Sequence, residues 1–247
     1  MSIAFKVKAS IQGALFVVTL LIAVKSSLAN VEVVSELWPP YSYLDDSGKS
    51  VGIISEPFSH ALTQGGIKHE IHYYPWSRAF HKASMTPDVL IFPIYRNPER
   101  EDLFHWFCPI AKPITINAIT RTDSRFNGGS LEELIDAGAI VGVMRNDNSY
   151  HKAVALGFSA KQLDISSSEI DNVRKLAHKR VDVIFQSWDS FEHRLKRINA
   201  PLDVTYRIGA RLHTIEETML CAAMSVASDE KLVQQVRYAL SQLKKQL

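Results

Sequence analysis

The sequence of 247 residues lacks most of the features on which enzyme catalysis depends. It has no Gly-x-Ser-x-Gly nucleophile motif, no glycine-rich loop that could cradle phosphate, and no cysteine and histidine cluster with zinc spacing. Among the nine histidines, His69 and His72 lie close together. In a strand, a spacing of three puts their side chains on opposite faces. The sequence therefore predicts no catalytic residue, no metal site and no cofactor.

Linkers rich in proline, glycine and serine are also missing, as are internal repeats. Their absence argues against two domains on a flexible tether, but not against two lobes joined by strands that cross between them. Cysteine is scarce as well. Cys108 and Cys221 could form a disulfide in an oxidising compartment or remain two buried thiols, and the sequence leaves both open.

The one long apolar run, residues 14–24, follows Lys6 and Lys8 and precedes a small-residue stretch that ends at Ala29. The run is shorter than the roughly 20 residues that a membrane-spanning helix needs. This pattern is typical of a secretory signal peptide, and we expect cleavage after Ala29 and release into the periplasm. The alternative is an uncleaved anchor, because Lys25 directly follows the apolar run.

The charge balance excludes two classes of partner. Removal of residues 1–29, which hold three lysines and no acidic residue, takes the formal net charge of +2 down to −1. A nearly neutral chain has no bulk electrostatic attraction to nucleic acid or to an anionic membrane. We therefore expect a monomer whose partner is a small molecule.

Short apolar runs alternate with helical patterns along the chain, which indicates an α/β fold. The helical patterns have clear start and stop signals: Ser55, Glu56 and Pro57 begin a helix that Gly65 ends, and Ser130 with Glu133 forms a capping box. Apolar residues at nearly every position favour parallel strands covered on both faces. The predicted strands are residues 31–37, 70–74, 89–95, 114–120, 139–144, 181–186 and 219–225.

Four segments, taken together in their order, carry a family resemblance. They are Trp38-Pro39-Pro40-Tyr41 followed by Gly52, Tyr74-Pro75-Trp76-Ser77-Arg78-Ala79, Arg96-Asn97-Pro98-Glu99-Arg100-Glu101, and Phe107-Cys108-Pro109-Ile110. The chain resembles the periplasmic solute-binding proteins of the family that includes the polar amino-acid receptors of ABC importers. That resemblance spans nearly the whole chain beyond residue 29.

The resemblance implies a two-lobed periplasmic-binding-protein-like fold, each lobe a mostly parallel sheet flanked by helices. It places residues 30–117 and 212–247 in a discontinuous first lobe and residues 118–211 in an inserted second lobe. Hinge strands are expected near residues 113–122 and 208–214. Ligand would bind in the cleft between the lobes, and a permease of an ABC importer would be the partner.

In the first lobe, the resemblance assigns Arg100 to the ligand carboxylate, which suits a planar guanidinium fork. It places Trp38 and Trp76 along the cleft with Tyr41 beside them. Tyr95 stands where the family uses a small residue that binds the ligand's charged end, which implies a rebuilt pocket. Helix-surface pairing of Arg100 with a neighbouring glutamate is the structural alternative.

In the second lobe, residues 145–149 resemble the family's second ligand-binding loop, and we expect Arg145, Asn148 and Ser149 to contact ligand. Asp147 or Asn148 would also cap the following helix. Ser187 stands where the amino-acid receptors usually present an aspartate to the ligand ammonium, with Asp189 as a possible substitute. With Arg78 and Arg96 also expected in the cleft, four arginines favour an anionic ligand.

Two other functions remain as alternatives. One is an enzyme on the same fold, similar to cyclohexadienyl dehydratase, with Glu36 and Asp189 as candidate acid and base. The other is a sensory module that signals through a transmembrane segment or a separate partner. The sequence favours passive binding of a small anionic or amino-acid-like solute.

Overall fold

A computed structural model describes residues 30–127, 129–198, 200, 204–212 and 219–243. The predicted signal peptide lies outside the described residues. The strands are β1 (Asn30–Ser35), β2 (Tyr43–Leu44), β3 (Ser50–Val51), β4 (Lys68–Tyr73), β5 (Val89–Tyr95), β6 (Phe104–Phe107), β7 (Asn117–Arg121), β8 (Val141–Met144), β9 (Leu163–Ser166), β10 (Val183–Gln186), β11 (Tyr206–Arg211) and β12 (Leu220–Ser225).

Seven α-helices are described, with short 3-10 helices at Pro98–Leu103 and Ala160–Gln162. The α-helices are α1 (Ser55–Gln64), α2 (Trp76–Met85), α3 (Leu131–Asp136), α4 (Asn148–Leu156), α5 (Glu169–Ala177), α6 (Trp188–Leu195) and α7 (Glu230–Ser241). None of the helices in the described part of the chain combines the length and hydrophobicity that crossing a bilayer requires.

The strands form two five-stranded sheets, in the orders β4-β1-β5-β12-β6 and β11-β7-β10-β8-β9. In the first sheet only β12 runs against the other described strands, and in the second only β7 does. The predicted two-lobed fold with mostly parallel sheets is confirmed. We call the first sheet with α1, α2 and α7 the first lobe, and the second sheet with α3 to α6 the second lobe.

Alternation along the strands explains why helices cover both faces of each sheet. In β1, Val33 faces a core that includes Phe58 of α1 and Val236 of α7, whereas Val34 faces the core formed with Ala79 of α2. All seven residues of β5 are buried, as expected for a strand covered on both sides. Gly65 permits the close contact of α1 with α7, because an added Cβ would lie 2.3 Å from the Cβ of Ala239.

The predicted helix caps are confirmed in the second lobe. Ser130 and Glu133 form the reciprocal capping box at α3, and Asp147 caps α4 by accepting a hydrogen bond from the amide of Ser149 at 2.9 Å. The caps fix where these helices begin. That matters for the site, because α4 begins directly beside the gap between the sheets.

The chain passes between the sheets after β6 and returns to the first sheet at β12. On the second-sheet side of both passages, β7 and β11 pair antiparallel, and the amide of Leu212 donates to the carbonyl of Ile116 at 2.9 Å. Residues 213 and 214 of the second predicted hinge lie outside the described residues. The predicted lobe boundaries stay a prediction.

Cys108 and Cys221 form a disulfide, with Cα atoms 4.5 Å apart. The bond joins the loop after β6 to β12 and spans 113 residues of sequence, within which the whole second sheet is formed. Of the two possibilities that the sequence leaves open, the structure contains the bridge. It ties the two chain passages together at the edge of the first lobe.

Replacing both cysteines by alanine is expected to lower the free energy of unfolding by about 2–5 kcal/mol, because the bridge closes a long loop and restricts the unfolded chain. Urea unfolding of the parent and the double variant measures the difference. Reductant should lower the stability of the parent and leave the double variant unchanged. Equal stability of the two proteins under oxidising conditions would contradict the prediction.

Candidate ligand-binding site

A cavity of about 50 Å³ lies between the two lobes. Residues at the carboxyl ends of β1, β5, β8 and β10 line it, which is where open α/β sheets bind ligands. A neighbouring cavity of about 520 Å³ shares several residues with it, among them Trp76, Glu169 and Arg194. The inner cavity has room for a group of a few atoms, and the outer one has room for the rest of a small ligand.

Arg100 lines the inner cavity and is only 2 % exposed. Asn97 positions it by capping the 3-10 helix that begins at Pro98, and its guanidinium lies 5.1 Å from the ring of Trp76. Nη1 donates to the carbonyl of Tyr95 at 2.9 Å, while buried Nε has no hydrogen-bond partner among the described residues. The surface ion pair considered as an alternative is therefore not its environment. The guanidinium keeps donors for a ligand oxygen.

The backbone carbonyl of Asn146, in the second lobe, receives two donors from the first lobe. Arg100 Nη2 and Trp76 Nε1 each donate to it at 2.9 Å. Asn146 has a φ of 57°, the left-handed conformation that asparagine tolerates better than most residues. The loop between β8 and α4 is thus shaped to present this carbonyl across the cleft.

Further hydrogen bonds hold the lobes together. The hydroxyl of Tyr41 donates to that of Ser187 at 3.1 Å, and Ser190 donates to the carbonyl of Pro39 at 2.7 Å. Arg194 Nη2 donates to the carbonyl of Leu37 at 3.2 Å. Because these bonds connect residues of different lobes, the structure is that of a closed cleft.

Two glutamates in the cleft have strongly shifted pKa values. Burial raises the pKa of Glu36 well above its ordinary value, and the charge of Asp147 raises it further. Burial also raises the pKa of Glu169 to about 7, although the guanidinium of Arg194 opposes the rise. In each case burial favours the neutral acid over the charged carboxylate.

Arg194 completes the group of charged residues and is 3 % exposed. It extends from α6 and donates to the hydroxyl of Ser190 and, at 3.5 Å, to the side-chain oxygen of Gln186. Gln186 in turn donates to the carboxylate of Glu169. The cleft therefore contains two guanidinium groups and three acidic side chains, those of Glu36, Asp147 and Glu169.

The structure brings together most of the residues that the sequence predicts as ligand-binding. The inner cavity is lined by Trp38, Trp76, Tyr95, Arg100, Asn148, Ser149 and Ser187. Tyr41 lies beside them through its bond to Ser187. Their contact with ligand stays a prediction.

The remaining predicted arginines do not line either cleft cavity. Arg78, Arg96 and Arg145 are exposed: Arg96 pairs with Glu101, and Arg78 lies 4.6 Å from the ring centre of Tyr74. Ser77 donates to the backbone carbonyl of Arg145, so Arg145 contributes its backbone, and not its guanidinium, to the contact between the lobes. Asp189 lies outside the inner cavity and accepts from Tyr41 at 3.4 Å.

Sequence reasoning missed Glu169 and Arg194 as members of the cleft. Glu169 follows β9, a strand of four residues whose sequence Leu-Asp-Ile-Ser gives no apolar run. Arg194 lies on a helix with several charged neighbours, a pattern typical of a solvent-facing helix. The position of Glu169 shortly after the end of a strand is the one signal that could have identified it.

The geometry defines a two-lobed binding protein with a polar cleft, and comparison with known proteins gives its family. The model for bacterial extracellular solute-binding proteins, family 3, matches residues 31–246. The chain belongs to this family. A search of curated proteins gives no match to the sequence.

Solved structures of the same fold resemble the chain closely in shape and distantly in sequence. A histidine kinase sensor domain with similarity to periplasmic binding proteins has a TM-score of 0.76 at 20% identity, covering 90% of this chain and 93% of that one. An ancestral arginine-binding protein bound to arginine has a TM-score of 0.72 at 18% identity, with 88% and 93% covered. A periplasmic binding protein of Salmonella typhimurium with high arginine specificity has a TM-score of 0.70 at 15% identity, covering 88% of this chain and 94% of that one.

The raised pKa of Glu169 predicts a pH dependence of stability. The folded chain holds this proton up to about pH 7, whereas the unfolded chain loses it near 4.5, so stability falls as pH rises between these values. Glu169→Gln removes this contribution, and the stability of the variant relative to the parent should rise across the same range. Thermal unfolding from pH 4 to 8 measures it.

Glu192→Gln serves as the control, because Glu192 is an exposed residue on α6. Its unfolding temperature should stay parallel to that of the parent. A Glu169→Gln variant whose profile also stays parallel to the parent would contradict the assignment.

Proposed function

We propose that the chain is an exported solute-binding protein that captures a small carboxylate-bearing ligand, anionic or amino-acid-like, between its lobes. The observation that carries the proposal is the environment of Arg100, a buried guanidinium at a closed interlobe cavity with a donor that no described residue satisfies. A carboxylate accepts two parallel bonds from such a group. The signal-peptide pattern at residues 1–29 supports export, and we place the protein in the periplasm.

Binding would proceed in two steps. Ligand first docks on the open first lobe through Arg100, with Trp38 and Trp76 against its apolar part. The second lobe then closes, and the Asn146 carbonyl receives its two donors from the first lobe. Since these bonds form only on closure, ligand contacts and lobe contacts stabilise the same state, and hinge closure couples occupancy to recognition.

The partner that recognises the closed form would be the permease of an ABC importer or a sensor. One structural neighbour is a histidine kinase sensor domain and others are arginine-binding proteins, so this fold serves as a sensor domain in one and as a solute-binding protein in the others. We favour the importer, on the resemblance to the amino-acid receptors. Co-purification of the ligand-loaded protein with either partner, weakened in the ligand-free protein, distinguishes the two.

Catalysis is the second candidate, favoured by two carboxyls with raised pKa values in one cavity, Glu36 and Glu169. This pair differs from the expected Glu36 and Asp189, because Asp189 lies outside the inner cavity. We propose binding without turnover. A ligand that is recovered chemically unchanged after long incubation with the protein supports this proposal, and conversion would replace it with the enzyme function.

A thermal-shift screen of residues 30–247 against amino acids, dicarboxylates and other small anions tests the proposal. A ligand at 100 times its Kd should add about 2.7 kcal/mol of stability. Arg100→Ala should weaken the hit about 10- to 100-fold, because a hydrogen bond to a charged group is lost. Arg100→Lys keeps the charge but lacks the planar fork of the guanidinium, so its affinity for the ligand should lie between those of the parent and of Arg100→Ala.

Arg96→Ala is the matched control, since Arg96 is an exposed arginine four residues away that pairs with Glu101. It should bind as the parent does. Equal binding by the Arg100→Ala and Arg96→Ala variants would show that Arg100 is not the anchor, and no stabilisation of the parent by any ligand would remove the support for solute binding.

A further inference from the structure

Arg194 occupies a position in the cleft that ordinary packing does not explain. It belongs to α6 of the second lobe, yet its guanidinium reaches the carbonyl of Leu37 in the first lobe. It lines both the inner cavity of about 50 Å³ and the outer cavity of about 520 Å³. A guanidinium belonging to the chain itself therefore borders both of the spaces that a ligand would use.

The neighbours of Arg194 are those that a cationic ligand would need. Glu169, Glu36 and Asp147 are the acidic groups that most strongly favour its charge, and Gln186 links it to Glu169. The carbonyl of Leu37 and the hydroxyl of Ser190 accept from it. Acceptors and carboxylates arranged in this way on two lobes would hold a free guanidinium or ammonium equally well.

We infer that Arg194 fills the cation-binding half of the cleft and so determines specificity, admitting compact carboxylate ligands and excluding those with an extended cationic side chain. The inference rests on the proposed function, since it concerns the same cleft. The exclusion has two causes. The tethered guanidinium takes up space at the border of the inner and outer cavities, and it supplies positive charge opposite the acidic residues.

Charge balance makes the inference testable. Removal of one partner from a buried charged group leaves the others uncompensated, which is strongly unfavourable. In an Arg194→Ala variant, the vacated space and the acidic residues would accept a diffusible cation of the same shape. N-ethylguanidinium is that cation, because it replaces the atoms of the side chain beyond Cβ.

The experiment measures stabilisation of the parent and of Arg194→Ala by N-ethylguanidinium and by L-arginine, with calorimetry of any hit. The variant should bind N-ethylguanidinium with an affinity at least about 10-fold above that of the parent, the range expected for hydrogen bonds to a charged group. Arg180→Ala, which removes an exposed arginine of the second lobe, should behave as the parent. Adding Glu169→Gln to Arg194→Ala should reduce this gain in affinity for N-ethylguanidinium, because one of the acidic groups is removed.

Equal affinity of the parent and Arg194→Ala for N-ethylguanidinium would overturn the inference, as would strong binding of L-arginine by the parent. If Arg194→Ala does not fold, Arg194→Leu takes its place with guanidinium as the probe, because leucine keeps the apolar packing of the arginine stem and leaves the space of the guanidinium group vacant. The same gain over the parent is expected, and its absence would overturn the inference.

The outcome is separable from that of the proposed function. A gain of cation binding by the variant does not require that the natural ligand be known, so it can be seen even if no anion stabilises the parent. Conversely, a parent that binds small carboxylates through Arg100, with no gain in the Arg194 variant, would retain the proposed function and remove only the role of Arg194.

Discussion

The closed structure depends on the burial of charge between two lobes. Each lobe inserts one guanidinium into the other: Arg100 of the first lobe donates to the Asn146 carbonyl, and Arg194 of the second donates to the Leu37 carbonyl. Both side chains are almost fully buried. A buried guanidinium without acceptors is costly, and some of these acceptors are supplied only when the lobes meet. Closure of the lobes and the formation of these two arginine–carbonyl hydrogen bonds therefore occur together.

The same constraint explains the acidic residues. Three carboxyl groups close to each other would repel if all were ionised, and burial disfavours the charged form further. Burial and the neighbouring acidic groups therefore raise the pKa values of Glu36 and Glu169. The charge of the Arg194 guanidinium opposes the rise at both residues. The positive charge of Arg194 therefore has acidic partners in the cleft before a ligand enters. Under the proposed function, a ligand would be selected by its charge as well as by the contacts that it makes.

The sequence could predict the fold because its signals are local. Helix caps such as Ser130 and apolar strands such as β5 arise from neighbouring residues, and the motif around Arg100 places one anchor at one strand end. The rest of the site depends on which side chains meet across the cleft. Arg78 and Arg145 are as close to the motifs as Arg100 is, but the backbone directs them to solvent. Arg194 lies far from every motif and reaches the cleft only because α6 packs against the first lobe through Ser190.

The departure at Ser187 fits the position of Arg194. The resemblance to the amino-acid receptors implies an aspartate at this point, facing the ligand ammonium. Here the Ser187 hydroxyl accepts from Tyr41 and caps α6, so it stabilises closure. The acidic residue in this part of the cleft is Glu169, and the charge of Arg194 lies opposite it, with Gln186 hydrogen-bonded to both. Under the inference drawn above, Arg194 supplies from the chain itself the cation that the resemblance assigns to the ligand. Under the proposed function, the carboxylate of the ligand on Arg100 would supply the remaining charge in the cleft.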